Sequence, residues 1–244
     1  MNGVVGMHVR RRTRYPIARC WAALAAMTVL VMSGCDSGPE PTKTQEPRVT
    51  YGQPAADMCE GMKMAEVAAE SGLKFRSSDD PTVGFDTRGS DVYLSCGVSA
   101  YDESDRFRTE IGKFEPRGTV SLRTHPTHED AKRDHESKVF SLKTHERAGQ
   151  FNASSQQISG WWDEGVYVQL MLPMDPKEYP SIENLDAAAV EVIYELRHGN
   201  LLVSTDLHAR APTPQVEQVL AFLREFVEAI TKEAVSHLSR TGPS

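Results

Sequence analysis

Ala188–Leu207 reads AAVEVIYELRHGNLLVSTDL, and its alternation decides the fold. Val190, Val192, Tyr194 and Leu196 recur at every second position, as do Leu201, Val203, Thr205 and Leu207 beyond His198-Gly199-Asn200. Successive strand side chains point to opposite sides, so each run presents one apolar face. Gly-Asn between two such runs is a tight-turn pair. The stretch is therefore predicted to be an antiparallel hairpin with one side against a core. Pro212 and Pro214 close it and open a long helix. There Val216, Val219, Leu220, Leu223, Phe226, Val227 and Ile230 recur at helical spacing, which lays the helix on that core.

Upstream, a first helix is expected over Asp57–Ser71. Asp57 would cap it, Met58, Met62, Ala65 and Ala69 share a face, and Gly72 stops it. Asp91–Val98 alternates as a strand, and Gly118–Thr124 is a second candidate. Thr127 and Asp130 approximate a capping box for a highly charged helix running to about Thr144. Residues 157–172 are expected to hold a strand, a turn at Asp163-Glu164-Gly165 and a second strand, Val166–Leu172. Hairpin-compatible strands with helices between and after them predict an α+β fold. It has one antiparallel sheet with an N-terminal helix, a mid-chain helix and a long C-terminal amphipathic helix.

The N-terminus carries an address. Residues 1–34 hold Arg10, Arg11, Arg12, Arg14 and Arg19, no acidic residue, and the apolar run CWAALAAMTVLVM from Cys20 to Met32. A basic stretch, a short apolar run and small residues before a cut describe a secretory signal. The run falls short of the roughly 20 residues that a membrane-spanning helix needs. Val31-Met32-Ser33-Gly34-Cys35 resembles the bacterial lipobox. The resemblance implies a diacylglyceryl thioether on Cys35, cleavage just before it, and attachment to the outer face of the plasma membrane. Buried acyl chains contribute about 0.8 kcal/mol per methylene, so a two-chain anchor holds stably. Arg11-Arg12 hints at twin-arginine export, but Arg14 stands where that motif has an apolar residue, so the Sec and Tat routes both stay open.

Residues 1–34 are thus expected to be a lipoprotein signal peptide. Residues 35–54 form the lipidated Cys35 and a Pro-rich, extended tether, 55–238 an extracytoplasmic globular domain, and 239–244 a disordered tail. Loss of the signal removes five arginines and no acid, moving the formal net charge from −7 to −12. A domain this acidic has no footprint for nucleic acid and is repelled by anionic lipid, which leaves membrane contact to the lipid on Cys35. Cys59 and Cys96 are the two cysteines beyond Cys35. In an exported chain such a pair is most simply a disulfide, and closing this loop stabilises by about 4 kcal/mol in the chain-entropy picture.

Catalytic motifs are missing. There is no G-x-S-x-G, no HExxH and no Gly-rich phosphate loop, and paired carboxylates carry little meaning in a chain with 34 acidic residues. His125, His128, His135 and His145 cluster, but the spacing of His128 and His135 is not that of helical metal ligands, so a solvated polar face is expected. No cofactor and no metal are expected. Trp161-Trp162 is the candidate ligand surface: in a strand one of the pair would face outward beside Tyr167, where it could stack on a sugar or line an apolar cleft. Tyr101 and Phe107 are assigned to the same rim.

The phrases DMCEGMKMAEVAAESGL, YLSCGVSA and ELRHGNLLVSTDL, with the charged mid-chain helix and the terminal helix, resemble actinobacterial cell-envelope lipoproteins. In outline they are similar to sensor domains of some mycobacterial receptor kinases and to lipoproteins of Mog1/PsbP-like fold. The likeness covers most of residues 55–235 and implies a fold and a location, with no catalytic residue. The function expected is a membrane-tethered, non-catalytic binding or sensing lipoprotein, whose envelope ligand or protein partner the sequence does not name. The alternatives are a carrier of an apolar or lipid-like ligand between sheet and terminal helix, and an accessory subunit of an envelope complex.

Overall fold

Two twelve-residue strands, β8 (Ala187–His198) and β9 (Leu201–Pro212), pair along their whole length from Ala187↔Pro212 to His198↔Leu201. The structure is a computed structural model that describes residues 49–77, 81–108, 112–147, 152–173 and 187–241. Cys35, the segment 1–34, most of the tether and residues 242–244 lie outside those residues. In chain order the other elements before the hairpin are β1 (Thr50–Tyr51), α1 (Met58–Gly61), α2 (Met64–Glu70), β2 (Lys74–Phe75) and β3 (Thr82–Arg88). They continue with β4 (Asp91–Tyr101), β5 (Arg117–Thr124), α3 (His128–Arg147), β6 (Asn152–Gln157) and β7 (Glu164–Pro173). After the hairpin come α4 (Val216–Ser236) and β10 (Arg240–Thr241).

The main sheet is antiparallel throughout. β2 and β3 share one side of β4, and the order then runs β5, β9, β8, β7 to β6 at the far edge. The fold is α+β, with one large antiparallel sheet and a C-terminal helix. The loop of the long hairpin is Gly199-Asn200, where Gly199 takes φ +61. A positive φ at the first position of a two-residue loop suits glycine.

α4 crosses β8 and β9 and buries Val216, Val219, Leu220, Leu223, Phe226, Val227 and Ile230. Opposite them lie Val190, Val192, Tyr194 and Leu196 of β8 and Leu201, Val203 and Leu207 of β9, all at most 2% exposed. Each such side chain contributes about 1.5–3 kcal/mol on burial. Within this dry layer Thr231 donates to the Val227 carbonyl and receives the Thr205 hydroxyl at 2.9 Å, so the one polar pair is satisfied.

The segment Asp57–Ser71, expected as one helix, is divided at Met62-Lys63. Met62 and Met64 are both buried. Two residues apart on one continuous helix they would point about 200° apart, and the break lets both enter the core. Cys59 of α1 and Cys96 of β4 form a disulfide that staples this segment to the sheet.

The tail expected to be disordered from residue 239, and the tether expected to reach residue 54, need new limits. Arg240–Thr241 pairs with Thr50–Tyr51, and the Ser239 carbonyl accepts from Gly52. Tyr51 is 3% exposed, and its hydroxyl meets His198 Nδ1 at 2.8 Å. One aromatic residue in an otherwise polar stretch gives that stretch a reason to dock.

At Gly118 the strands β5 and β9 approach so closely that a Cβ would overlap the Asp206 carbonyl. Gly118→Ala is expected to lower stability by about 3 kcal/mol, the upper end for overpacking, measured as a lowered urea midpoint at unchanged m.

Candidate functional site

The tryptophan pair does not lie in a strand. β6 ends at Gln157 and β7 begins at Glu164, so Trp161-Trp162 sits in the connecting turn, and the turn expected at Asp163-Glu164-Gly165 falls earlier. Alternation therefore does not apply. Trp162 donates Nε1 to the Ile158 carbonyl and packs over Gly160 and Gly165, while Trp161 is edge-on to Trp162 and to His198. Both are partly buried against the core. Phe107 packs with Phe114 and Phe222 in the core, and Tyr101 lies among Lys74, Arg76 and Lys113, so neither shares a rim with the tryptophans.

Tyr167 is placed differently. It is 4% exposed and forms part of a cleft of about 580 Å³ between the β6–β7 edge of the sheet and the flank of α4. Ser154, Ser155, Gln156 and Gln169 line the sheet side. Glu217, Leu220, Ala221, Arg224, Glu225 and Glu228 line the helix side. The tryptophans do not line it.

Arg224 is the fixed point of the cleft. Its guanidinium lies over the Tyr167 ring at 5.0 Å. The Gln156 amide lies against Arg224, and with its oxygen assigned to the side of the guanidinium it accepts from both terminal nitrogens at 3.1 and 3.2 Å. Burial pushes the Tyr194 phenol up, and the nearby Arg224 guanidinium opposes that rise. Tyr167 donates to Gln169 Oε1 at 3.3 Å, so sheet and helix are tied through a chain of planar polar groups. Burial pushes the Tyr167 phenol up to about 12, with Glu217 acting in the same direction against Arg224, so it stays a neutral hydrogen-bonding group.

The opposite face of the sheet carries charge. α3 buries little apolar surface and is held by ion pairs instead: Asp134 to Arg123 at 3.0 Å and Lys138 to Glu195 at 3.6 Å. His135, 4% exposed, lies 3.4 Å from Glu164 and 3.3 Å from the Glu195 carbonyl. His125, 6% exposed, lies between Asp91 and Asp134. The solvated histidine face expected for this helix is thus largely turned inward. The physical reason is that the sheet residues beneath it are themselves polar. His128 meets Thr50, and the side chain of His145 lies outside the described residues. Among the described residues no group of three or more His, Cys, Asp or Glu is arranged to hold a metal.

Arg197 completes this network, donating to Asp163 at 2.9 Å, Glu164 at 3.1 Å and the Gly199 carbonyl at 3.3 Å. Burial would raise the Glu164 carboxyl, but hydrogen bonding and charge from Arg197, helped by His135, hold it below the ordinary range. Glu195 behaves the other way: burial lifts it, and Lys138 and Ser204 only partly oppose this.

That difference fixes a sign. A carboxyl raised on folding favours the folded state below its unfolded pKa, and this contribution is lost as pH rises through the folded value. Glu195→Gln, which cannot ionise, is therefore expected to be more stable than the natural chain at neutral pH. The gap should close in acid below the ordinary glutamate range. Denaturation midpoints across a pH series check this.

The cleft was reachable in the sequence only through Tyr167. Arg224 falls on the exposed flank of α4, where a charged residue reads as an ordinary solvated position. Gln156 and Gln169 carry no motif. Comparison of this chain with protein-family models, with curated proteins and with solved structures finds no match to any of them.

Proposed function

We propose that this chain is a membrane-tethered, non-catalytic binding or sensing lipoprotein of the bacterial cell envelope, which holds its ligand in the cleft between β6, β7 and α4. The observation that carries the reading is the guanidinium of Arg224, which lies over Tyr167 and against the Gln156 amide on the lining of an open polar cleft. Preset donors and acceptors around a concavity are what a specific binding site needs. The lipobox-like VMSGC ending at Cys35 supports the address, and the resemblance of the layout to actinobacterial envelope lipoproteins is consistent with it. No helix among the described residues is long and apolar enough to cross a membrane.

The lining speaks against the carrier of an apolar ligand, because among the described residues Leu220 and Ala221 are its only aliphatic members. A second reading, an accessory subunit of an envelope complex, draws on the edge strand β3, where Val83 is 64% and Phe85 44% exposed.

Two measurements test the proposal. Cys35→Ala is expected to move the protein from the membrane to the medium and to abolish its lipid-dependent mass increment. Retention in the membrane fraction after processing elsewhere would refute the anchor. Fractionated envelope extract is expected to raise the unfolding temperature of the natural chain and not that of Arg224→Glu, since a ligand that binds only the folded state stabilises it by mass action. An equal rise in both proteins, or no rise with any fraction, would refute the cleft.

A further inference from the structure

We infer that the β6–β7–α4 cleft takes an uncharged, polyhydroxylated ligand, a neutral glycan; this rests on the proposed binding role and narrows its chemistry. The charges of the cleft oppose both kinds of ion. Among the described lining residues Glu217, Glu225 and Glu228 stand along the helix wall against Arg224, so an anion entering meets a net negative field even with Lys232 paired to Glu228. A cation finds the guanidinium fixed at the centre, held on the Tyr167 ring and by Gln156. Glu228 is already engaged by Lys232 at 2.8 Å. A chain of methylenes would strand the polar walls without partners, which is the costly outcome for buried polar groups.

What remains is a ligand that both donates and accepts at many points. Ser154, Gln169 and the glutamates supply acceptors, and the serine hydroxyl and glutamine amides supply donors. Vicinal hydroxyls of a sugar match such planar amide, carboxylate and guanidinium groups in pairs. The volume of about 580 Å³ accommodates a short oligosaccharide segment. The planar guanidinium of Arg224 supplies a fork of donors that suits paired sugar hydroxyls.

The test is calorimetric titration of the full chain with a panel of neutral oligosaccharides: glucans, galactans, arabinans, mannans and N-acetylglucosamine oligomers. Inorganic phosphate, spermidine and a short-chain fatty acid serve as charged and apolar comparisons. At least one neutral oligosaccharide is expected to bind, with an affinity unchanged between about 0.05 and about 0.5 M salt, because no net charge is neutralised. Arg224→Ala and Gln169→Ala, on opposite walls, are each expected to weaken it about ten-fold or more, the effect of losing hydrogen bonds to a charged or preset group. Arg224→Lys keeps the charge but loses the planar fork and should weaken binding similarly, with its circular-dichroism spectrum unchanged. If a phosphate, polyamine or fatty-acid probe binds in a manner lost with Arg224→Ala while every sugar fails, the glycan is refuted and the binding cleft stands. If neither sugar nor any comparison ligand depends on these residues, the cleft and the glycan both fall.

Discussion

Asn200→Ala is expected to cost the domain about 4 kcal/mol, the largest loss for any single polar side chain outside the cleft. The Asn200 side chain is buried at 4% exposure and makes three hydrogen bonds to backbone far away in sequence. Its oxygen accepts from Tyr51 N at 2.7 Å, and its amide donates to the carbonyls of Tyr51 at 3.1 Å and His125 at 2.9 Å. Its own carbonyl accepts from His125 N at 2.9 Å. One residue of the hairpin loop thus fastens β1 and the β5–α3 connection to the end of the sheet. Each buried backbone group left without a partner costs about 1–3 kcal/mol, and three are orphaned together. A total stability of about 5–15 kcal/mol makes that loss severe.

Asn200→Asp sharpens the point. The shape is kept, but an ionised carboxylate would face two carbonyl oxygens, so the variant should be less stable than Asn200→Ala at neutral pH and recover in acid as the carboxyl protonates. Urea denaturation at neutral and acidic pH measures both variants. Equal stability of Asn200→Ala and the natural chain would show that the three bonds are not made.

Breaking the Cys59–Cys96 disulfide is the second large effect. The bridge closes a 37-residue separation and joins α1 to β4, so its removal by Cys59→Ala with Cys96→Ala should cost about 4 kcal/mol, most of it by freeing the unfolded chain. Both sulfurs are buried, and the break between α1 and α2 leaves this segment with few helical hydrogen bonds of its own. Protection from amide exchange is therefore expected to fall first over residues 57–71 and to persist in β8, β9 and α4. Uniform loss of protection would show that the segment is not held by the bridge.

Period and burial explain what the sequence disclosed. β8, β9 and α4 each set one face against the core, so apolar residues recur with the spacing of the element, and these parts were legible down to individual positions. β3 was not, because an edge strand that leaves Val83 and Phe85 exposed carries no burial pattern. β1 and β10 are too short to have a period; Tyr51 was the one hint. α3 read as a solvated helix because its lysines, histidines and acids look alike whether they face water or an oppositely charged sheet. Asp134, His135 and Lys138 in fact face Arg123, Glu164 and Glu195. Only the register of the strands decides between those environments.

The candidate site followed the same logic. Trp161-Trp162 drew attention by size, but the turn that holds the pair folds it onto Gly160, Gly165 and His198. Tyr167, expected beside an outward-facing tryptophan, lines the cleft without either tryptophan. Arg224 and Gln156 belong to α4 and β6, separated by the whole hairpin, and their meeting depends on how the helix returns across the sheet. Neither residue has a local signature.

Amide chemical-shift mapping of the isotopically labelled chain, titrated with neutral envelope oligosaccharides, tests whether the cleft between β6, β7 and α4 holds the ligand. Saturable shifts confined to residues 154–156, 167–169 and 217–228 are expected. Saturable shifts centred on the α3 face or on β3 instead, with the cleft amides unmoved, would contradict that placement.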